Sequence, residues 1–154
     1  MSRNSVKIAK DKADLFQQLC DKNAAAGLFE THADLMAFAG ALGLRYNNRI
    51  PLTNISKEPS PIDINIFISR GYETLIKLIA MTEVKDINIL KSETEMEVQR
   101  ILFFEEYANG GLEILRQELK GIVDYTEQIL LMMTNERGEQ ESSSSEFDLT
   151  KFLI

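Results

Sequence analysis

Apolar residues recur at helical spacing from residue 104 to residue 123, and this run constrains the fold more than any other feature of the sequence. The run passes straight through Gly110 and Gly111, and it predicts one long helix over about residues 93–120. Two glycines inside a helix cost about 2 kcal/mol relative to alanines. We therefore expect another backbone to cross this helix closely at Gly110 and Gly111. The alternative is a break into two helices at the glycines.

Four shorter helices accompany the long one in the sequence pattern. Thr31 and Asp34 form a capping pair that opens a helix expected to end at Gly43. Ser69 and Asp124 are the expected caps of two later helices. The sequence therefore predicts an all-α fold of about five helices. The expected bounds of the four shorter helices are 11–22, 31–42, 70–83 and 124–135.

Two segments near the N-terminus lack helical spacing. The first ten residues are expected to form an irregular or extended arm, and residues 44–62 form a long loop that holds all three prolines. Loops of this length are uncommon in compact domains and often carry function. Residues 62–68 are strongly apolar, and the pattern leaves open a short helix or a strand.

The composition changes after residue 135. Residues 136–146 are acidic and rich in serine, as in a flexible linker, and residues 147–154 are an apolar octapeptide. The predicted organisation is a single helical domain over 1–135, an acidic linker and a docking tail. The tail residues expected to bind a partner are Phe147, Leu149, Phe152 and Leu153. A groove on the chain's own domain or on a sister subunit is an equally good site for this tail.

Length and composition exclude several classes of protein. A chain of 154 residues with 44% hydrophobic residues can bury a core without disulfides or metal ions. No apolar run reaches the roughly 18 residues of a membrane span. The first twelve residues do not resemble a secretory signal, and Cys20 has no second cysteine to pair with. We therefore expect a cytoplasmic protein with no contact to membranes.

Charge is distributed unevenly along the chain. The net charge is −7, with a balance of +2 over residues 1–77 and −9 over residues 78–154. The acidic half is expected to repel nucleic acid, to face a basic partner protein or simply to keep the protein soluble.

Two basic stretches in the first half suit nucleic acid. Guanidinium, ammonium and amide groups contact phosphates, and an aromatic ring between them can stack on a base. A solvated polar surface is the simpler interpretation of both stretches. The candidate DNA-binding residues are Lys7, Lys10, Lys12, Arg45, Asn47, Asn48 and Arg49.

Motifs of catalysis are missing from the sequence. His32 and Cys20 are the single histidine and cysteine, and neither stands in a nucleophile or metal-ligand motif. We expect no catalytic residues, no metal site and no cofactor. The remaining enzyme hypothesis is a Mg²⁺-dependent nuclease built on Asp63, Glu83 and Lys85. Such carboxylates normally lie on adjacent strands, whereas Glu83 and Lys85 fall at the end of a predicted helix.

Several blocks of the sequence together resemble a known family. The most specific block is Phe104-Glu-Glu-Tyr-Ala-Asn-Gly-Gly-Leu-Glu-Ile-Leu115. Supporting blocks are Val6-Lys-Ile-Ala-Lys-Asp-Lys12, Phe29-Glu-Thr31 through Ala41-Leu-Gly-Leu44, Arg49-Ile-Pro-Leu52 and Phe67-Ile-Ser-Arg-Gly-Tyr72. Over about residues 3–134 the chain resembles the DNA phosphorothioation-associated family called Dnd system-associated protein 4.

The resemblance implies a biological context rather than a reaction. Such proteins are small accessory components of bacterial islands that replace a backbone oxygen of DNA with sulfur and restrict unmarked invading DNA, which is antiviral defence. No catalytic residues come with the resemblance. Our first hypothesis is a non-enzymatic accessory subunit that contacts DNA through the basic arm and loop. The alternative is an adaptor that binds another protein of the defence island, or a second copy of itself, through the tail and the small patch at Gly110 and Gly111.

Overall fold

The computed structural model describes residues 4–20 and 27–144, and the backbone divides into two compact units. The first unit comprises residues 1–117 and the second residues 118–154, and each is treated by itself below. The tail residues 147–154 lie outside the described residues, so the predicted organisation into domain, linker and tail stays a prediction.

The described residues form six α-helices and a two-stranded antiparallel sheet, which confirms the predicted all-α class. Two short 3₁₀ helices, Lys10–Lys12 and Ile87–Leu90, complete the fold. The strands are β1 (Ser5–Val6) and β2 (Ile62–Asp63). The helices are α1 (Ala13–Cys20), α2 (His32–Arg45), α3 (Ile64–Ser69), α4 (Glu73–Val84), α5 (Thr94–Leu119) and α6 (Tyr125–Ser144).

Residues 4–9 of the N-terminal arm are extended and belong to the core of the first unit. β1 pairs with β2 in an antiparallel register that sets Val6 opposite Ile62, and Ala9 bridges to Ile55 farther along the arm. Val6 and Ile8 are at most 1% exposed. Burial of these side chains fixes the arm across the unit. The apolar stretch 62–68, which the sequence left open between helix and strand, is a strand followed by a helix.

The core of the first unit lies where α2, α4 and α5 meet. Gly40 of α2 faces the Phe104 ring of α5 and the Ile79 side chain of α4. Phe67 of α3 packs edge-on against Phe104 with 5.3 Å between ring centroids. Both phenylalanines are fully buried, so these rings make a large apolar contribution to stability.

Helix α2 begins as predicted and ends later than predicted. Thr31 and Asp34 form a reciprocal capping box at its N-terminus. Gly43 does not end the helix, which continues to Arg45, and Asn47 takes the left-handed backbone conformation at φ 52° instead. Gly43 is required for another reason, because a Cβ atom there would overlap the backbone carbonyl of Tyr107.

Asp34 also joins the start of α2 to the turn before α4. Its carboxylate accepts hydrogen bonds from both Nε and Nη2 of Arg70, at 2.9 and 2.8 Å, and from the Tyr72 hydroxyl at 2.6 Å. Burial alone would raise the pKa of Asp34, but the hydrogen bonds from Arg70, Tyr72 and Thr31 outweigh it and lower the pKa. Helix α4 begins at Glu73 rather than at the predicted Arg70, because Ser69 belongs to α3 and Gly71, with φ 87°, separates the two helices.

Helix α5 runs unbroken through Gly110 and Gly111, so the predicted long helix is confirmed and the alternative break is wrong. In the second unit, α6 follows the left-handed turn at Gly121, and Asp124 Oδ1 accepts a hydrogen bond from the Glu127 amide as the predicted cap.

Helix α6 extends to Ser144, nine residues beyond the predicted end. It therefore takes in most of residues 136–146, which the sequence indicated as a linker. Glutamate, glutamine and arginine are strong helix formers, so this polar stretch can continue a helix that has already begun. Within residues 4–20 and 27–144, no helix combines the length and the apolar character needed to cross a membrane.

Candidate functional site

Three polar side chains of α5 lie buried in the middle of an otherwise apolar helix face. Glu105, Glu106 and Asn109 are 5%, 9% and 4% exposed. Buried polar groups require hydrogen-bond partners, since an unpaired one costs free energy of folding. The arm and the long loop supply those partners. We call this set of residues, with Lys7, Lys12, Asn48 and Arg49, the polar seam.

The arm is attached to the polar seam through Glu105. The backbone amide of Lys7 donates to Glu105 Oε2 at 2.6 Å, and the Lys7 ammonium lies 3.7 Å from the same oxygen. Burial raises the pKa of Glu105, while the hydrogen bond and charge of Lys7 act in the opposite direction. Glu105 therefore fixes a backbone position of the arm.

Lys12 is the most deeply buried cation of the polar seam. Only 2% of the residue is exposed, and its Nζ donates to Asn109 Oδ1 at 3.0 Å and to the exposed carboxylate of Asp11 at 3.3 Å. The Asn109 amide nitrogen in turn donates to the Ile50 carbonyl at 3.1 Å. Asn109 thus joins the arm, the helix and the loop at one point.

Arg49 fastens the loop to two helices. Its Nε donates to Glu106 Oε1 at 2.6 Å, and its Nη1 forms a further ion pair with Glu83 of α4. The guanidinium also lies 4.9 Å from the centroid of the Phe103 ring. Two charge-assisted hydrogen bonds and an aromatic face hold this cation in place, and 34% of the Arg49 side chain stays exposed.

The two glycines of α5 lie where other backbones approach the helix. A Cβ atom on Gly110 would overlap the carbonyl oxygen of Asn48, and one on Gly111 would overlap that of Ala39 in α2. The Asn48 side chain donates to the Gly110 carbonyl at 3.0 Å. The approach of α2 and of the loop therefore matches the crossing that the glycines predicted.

The seven candidate DNA-binding residues fall into two groups. Lys7, Lys12, Asn48 and Arg49 belong to the polar seam, where the Lys7 and Arg49 side chains are still 49% and 34% exposed. Lys10, Arg45 and Asn47 lie on the surface outside the polar seam. The Arg45 guanidinium lies 5.5 Å from the ring centroid of Tyr46, which is 50% exposed. DNA contact stays a prediction for both groups. Sequence reasoning did not identify the acceptors Glu106 and Asn109, although both stand in the most specific block.

The residues considered for catalysis have other roles in the described structure. Asp63 caps α3 through a hydrogen bond from the Asn65 amide at 2.9 Å, and Glu83 pairs with Arg49. Among the described residues no group of three or more histidine, cysteine, aspartate or glutamate side chains could hold a metal ion.

An open cleft of about 550 Å³ contains both Cys20 and His32 in its lining. Burial raises the pKa of Cys20 to about 12, so the thiol stays protonated at neutral pH. Burial also lowers the pKa of His32, against the opposing charge of Glu58, and the imidazole packs edge-on against Phe16. The protonated thiol and the edge-on ring contact are typical of packing side chains, and a protonated thiol is a poor nucleophile.

The C-terminal unit offers apolar side chains to solvent. On α6, Leu130, Leu131 and Met133 are 57%, 50% and 52% exposed. The tail residues that the sequence predicted to bind a partner follow this helix and lie outside the described residues.

The fold and the polar seam define a class of small helical protein in which an extended N-terminal arm and a proline-containing loop are fastened onto one central helix. The family model of DNA sulphur modification system-associated protein 4 matches residues 5–152, and the chain belongs to this family. No curated protein and no solved structure matches the chain. It is therefore a protein associated with a DNA sulphur modification system, as the resemblance implied.

Proposed function

We propose that this chain is a non-enzymatic adaptor subunit that binds another protein of the DNA sulphur modification system through its C-terminal tail. The observation that carries the proposal is the contrast between the two units. In the first unit, Lys12 and Arg49 are paired with protein side chains, whereas the helix that leads to the tail exposes apolar side chains.

The energetics of the polar seam favour this function over DNA binding through the same residues. Lys12 is 2% exposed and can reach a phosphate only by leaving Asn109. Arg49 keeps exposed N–H groups, but the carboxylates of Glu106 and Glu83 weaken the positive field that it offers to a phosphate. Leaving a buried partner unpaired costs about 1–3 kcal/mol per group, and more for a charged group. That cost would offset the favourable free energy of a new bond between Lys12 and a phosphate.

Charge and chemistry support a protein partner. Residues 118–154 contain eight acidic and three basic residues, which repels a polyanion and suits a basic protein surface. Phe147, Leu149, Phe152 and Leu153 provide the apolar anchors that a peptide inserts into a groove. The protonated thiol of Cys20 supports a role without covalent chemistry at this cysteine.

Removing residues 147–154 is expected to abolish capture of the partner. The full chain, tagged and co-expressed with the other proteins of the modification system, should retain one of them on affinity resin. The deletion and the double variant Phe152→Asp/Leu153→Asp should both lower its recovery to background, because the apolar anchors are lost. Recovery is measured by quantitative mass spectrometry.

The matched control changes the polar residues of the same tail. Asp148→Ala/Lys151→Ala keeps all four apolar anchors and should retain the partner. Equal recovery with the full chain and with the deletion would refute the adaptor proposal.

DNA contact by the exposed cations is the second candidate function. The Arg45–Tyr46 pair places a guanidinium beside a half-exposed ring, an arrangement that suits a phosphate and an unstacked base. Lys10→Ala/Arg45→Ala should then weaken DNA binding in a fluorescence anisotropy titration and reduce the salt slope by about 2. The control is Lys91→Ala/Lys120→Ala, which removes the same number of positive charges from other positions. Titrations that are indistinguishable between the two double variants would exclude this surface.

A further inference from the structure

Helix α6 contains an apolar run that no single packing surface can cover. Residues 129–133 are five consecutive apolar side chains, and successive residues of a helix point about 100° apart. Ile129 is buried at 6% exposure, whereas Leu130, Leu131 and Met133 are each at least half exposed. Leu130 and Met133 are three residues apart and therefore share one face of the helix. We call these two side chains the α6 edge.

The chain continues beyond α6 for long enough to return to the α6 edge. Met133 lies eleven residues before Ser144 and Leu130 fourteen, which places them about 16 and 21 Å from the helix end. An extended segment advances about 3.3 Å per residue, so residue 152 can lie up to about 26 Å from Ser144. A helical tail would fall short, because it advances only about 1.5 Å per residue.

The composition of the tail matches the surface within its reach. Phe152, Leu153 and Ile154 are three consecutive apolar residues, and an extended tail can bring them as far back as the α6 edge. The two charged residues of the tail, Asp148 and Lys151, have opposite signs, so the side chains of the tail carry no net charge. A second copy of α6 is a poorer occupant, because residues 118–154 carry a net negative charge and two copies repel each other.

We infer that, in the absence of a partner, the tail of the same chain folds back in extended form and packs Phe152 and Leu153 on Leu130 and Met133. This inference concerns the regulation of the partner-binding tail and rests on the proposed function. The α6 edge holds the apolar anchors away from solvent, and a partner must displace them. The contact is intramolecular, so a short chain segment is held at a high effective concentration without a large interface.

A nitroxide attached to the full chain at Thr150→Cys tests the contact. Cys20 is buried and its thiol is protonated, so the label goes to the introduced cysteine. Paramagnetic broadening is read at the labelled methyl groups of Met132 and Met133, and Met36 serves as the reference in the first unit. We expect a marked loss of signal intensity at Met133. The same labelled chain with Phe152→Ser/Leu153→Ser should recover most of that intensity.

A mixed sample shows whether the tail on the α6 edge belongs to the same chain or to a second copy. Spin-labelled chains without isotope are combined with isotope-labelled chains without nitroxide, and we expect no broadening at Met133. Broadening in the mixed sample would assign the contact to a second copy and overturn the inference. Equal intensities with and without the serine substitutions would also overturn it. Neither result bears on the adaptor function, which the capture experiment tests separately. In the same way, a failure to capture a partner would not exclude this contact within the chain.

Discussion

Replacing Gly111 with alanine is expected to destabilise the protein by about 3 kcal/mol. The added Cβ atom would overlap the carbonyl oxygen of Ala39, and a backbone atom cannot rotate away as a flexible side chain can. Helix α2 must move away from α5, which opens the packing around both helices. The gain in helix propensity is only about 1 kcal/mol and does not compensate. Urea unfolding followed by circular dichroism measures the loss.

The control for Gly111→Ala is Gln99→Ala on the same helix. Gln99 is exposed, so this substitution changes the helix propensity without adding a contact to α2. It should leave the free energy of unfolding within about 0.5 kcal/mol of the original value. A Gly111→Ala variant as stable as this control would contradict the close crossing.

Replacing Asn109 with leucine is expected to cost about 3 kcal/mol. The substitution keeps a similar volume but removes the acceptor of the Lys12 ammonium and the donor to the Ile50 carbonyl. Lys12 would retain only its contact with Asp11, whose side chain is 74% exposed. The exposed amide-to-leucine change Gln117→Leu on α5 is the control and should be close to neutral.

A double-mutant cycle shows whether the loss of stability in Asn109→Leu arises because Lys12 loses its hydrogen-bond acceptor. In the Lys12→Met background no buried ammonium loses its partner, so Asn109→Leu should cost less than it does alone, by about 1–2 kcal/mol. Thermal or urea unfolding of the four proteins gives the coupling energy. Strict additivity would mean that Lys12 and Asn109 do not interact in solution.

Local patterns in the sequence predicted much of the fold. The capping box at Thr31 and the passage of α5 through Gly110 and Gly111 follow from side chains that act on their own helix or on its immediate neighbour. Gly43 was misinterpreted because its role depends on a residue that is far away in the sequence. A glycine near the end of an apolar run is usual after a helix, and only the position of Tyr107 shows that this one allows a close crossing instead.

The polar seam could be predicted only in part. The basic residues of the arm and loop stand out in the sequence, whereas their partners Glu105, Glu106 and Asn109 look like the solvated face of a helix. The pairs that decide their roles are far apart in sequence: 98 residues separate Lys7 from Glu105 and 97 separate Lys12 from Asn109. No periodicity encodes such a pairing, so cations that are paired with protein side chains looked the same in the sequence as cations available for DNA.

The same long separations set the order in which the polypeptide can acquire its structure during synthesis. β1 has to wait for residues 62 and 63, and Lys7 and Lys12 have to wait for α5. While the ribosome is still translating the first hundred codons, Val6 and Ile8 have no completed core to enter. Nascent chains that stall before α5 emerges therefore leave Val6 and Ile8 without their complete core, and they are the species that chaperones and proteases will meet.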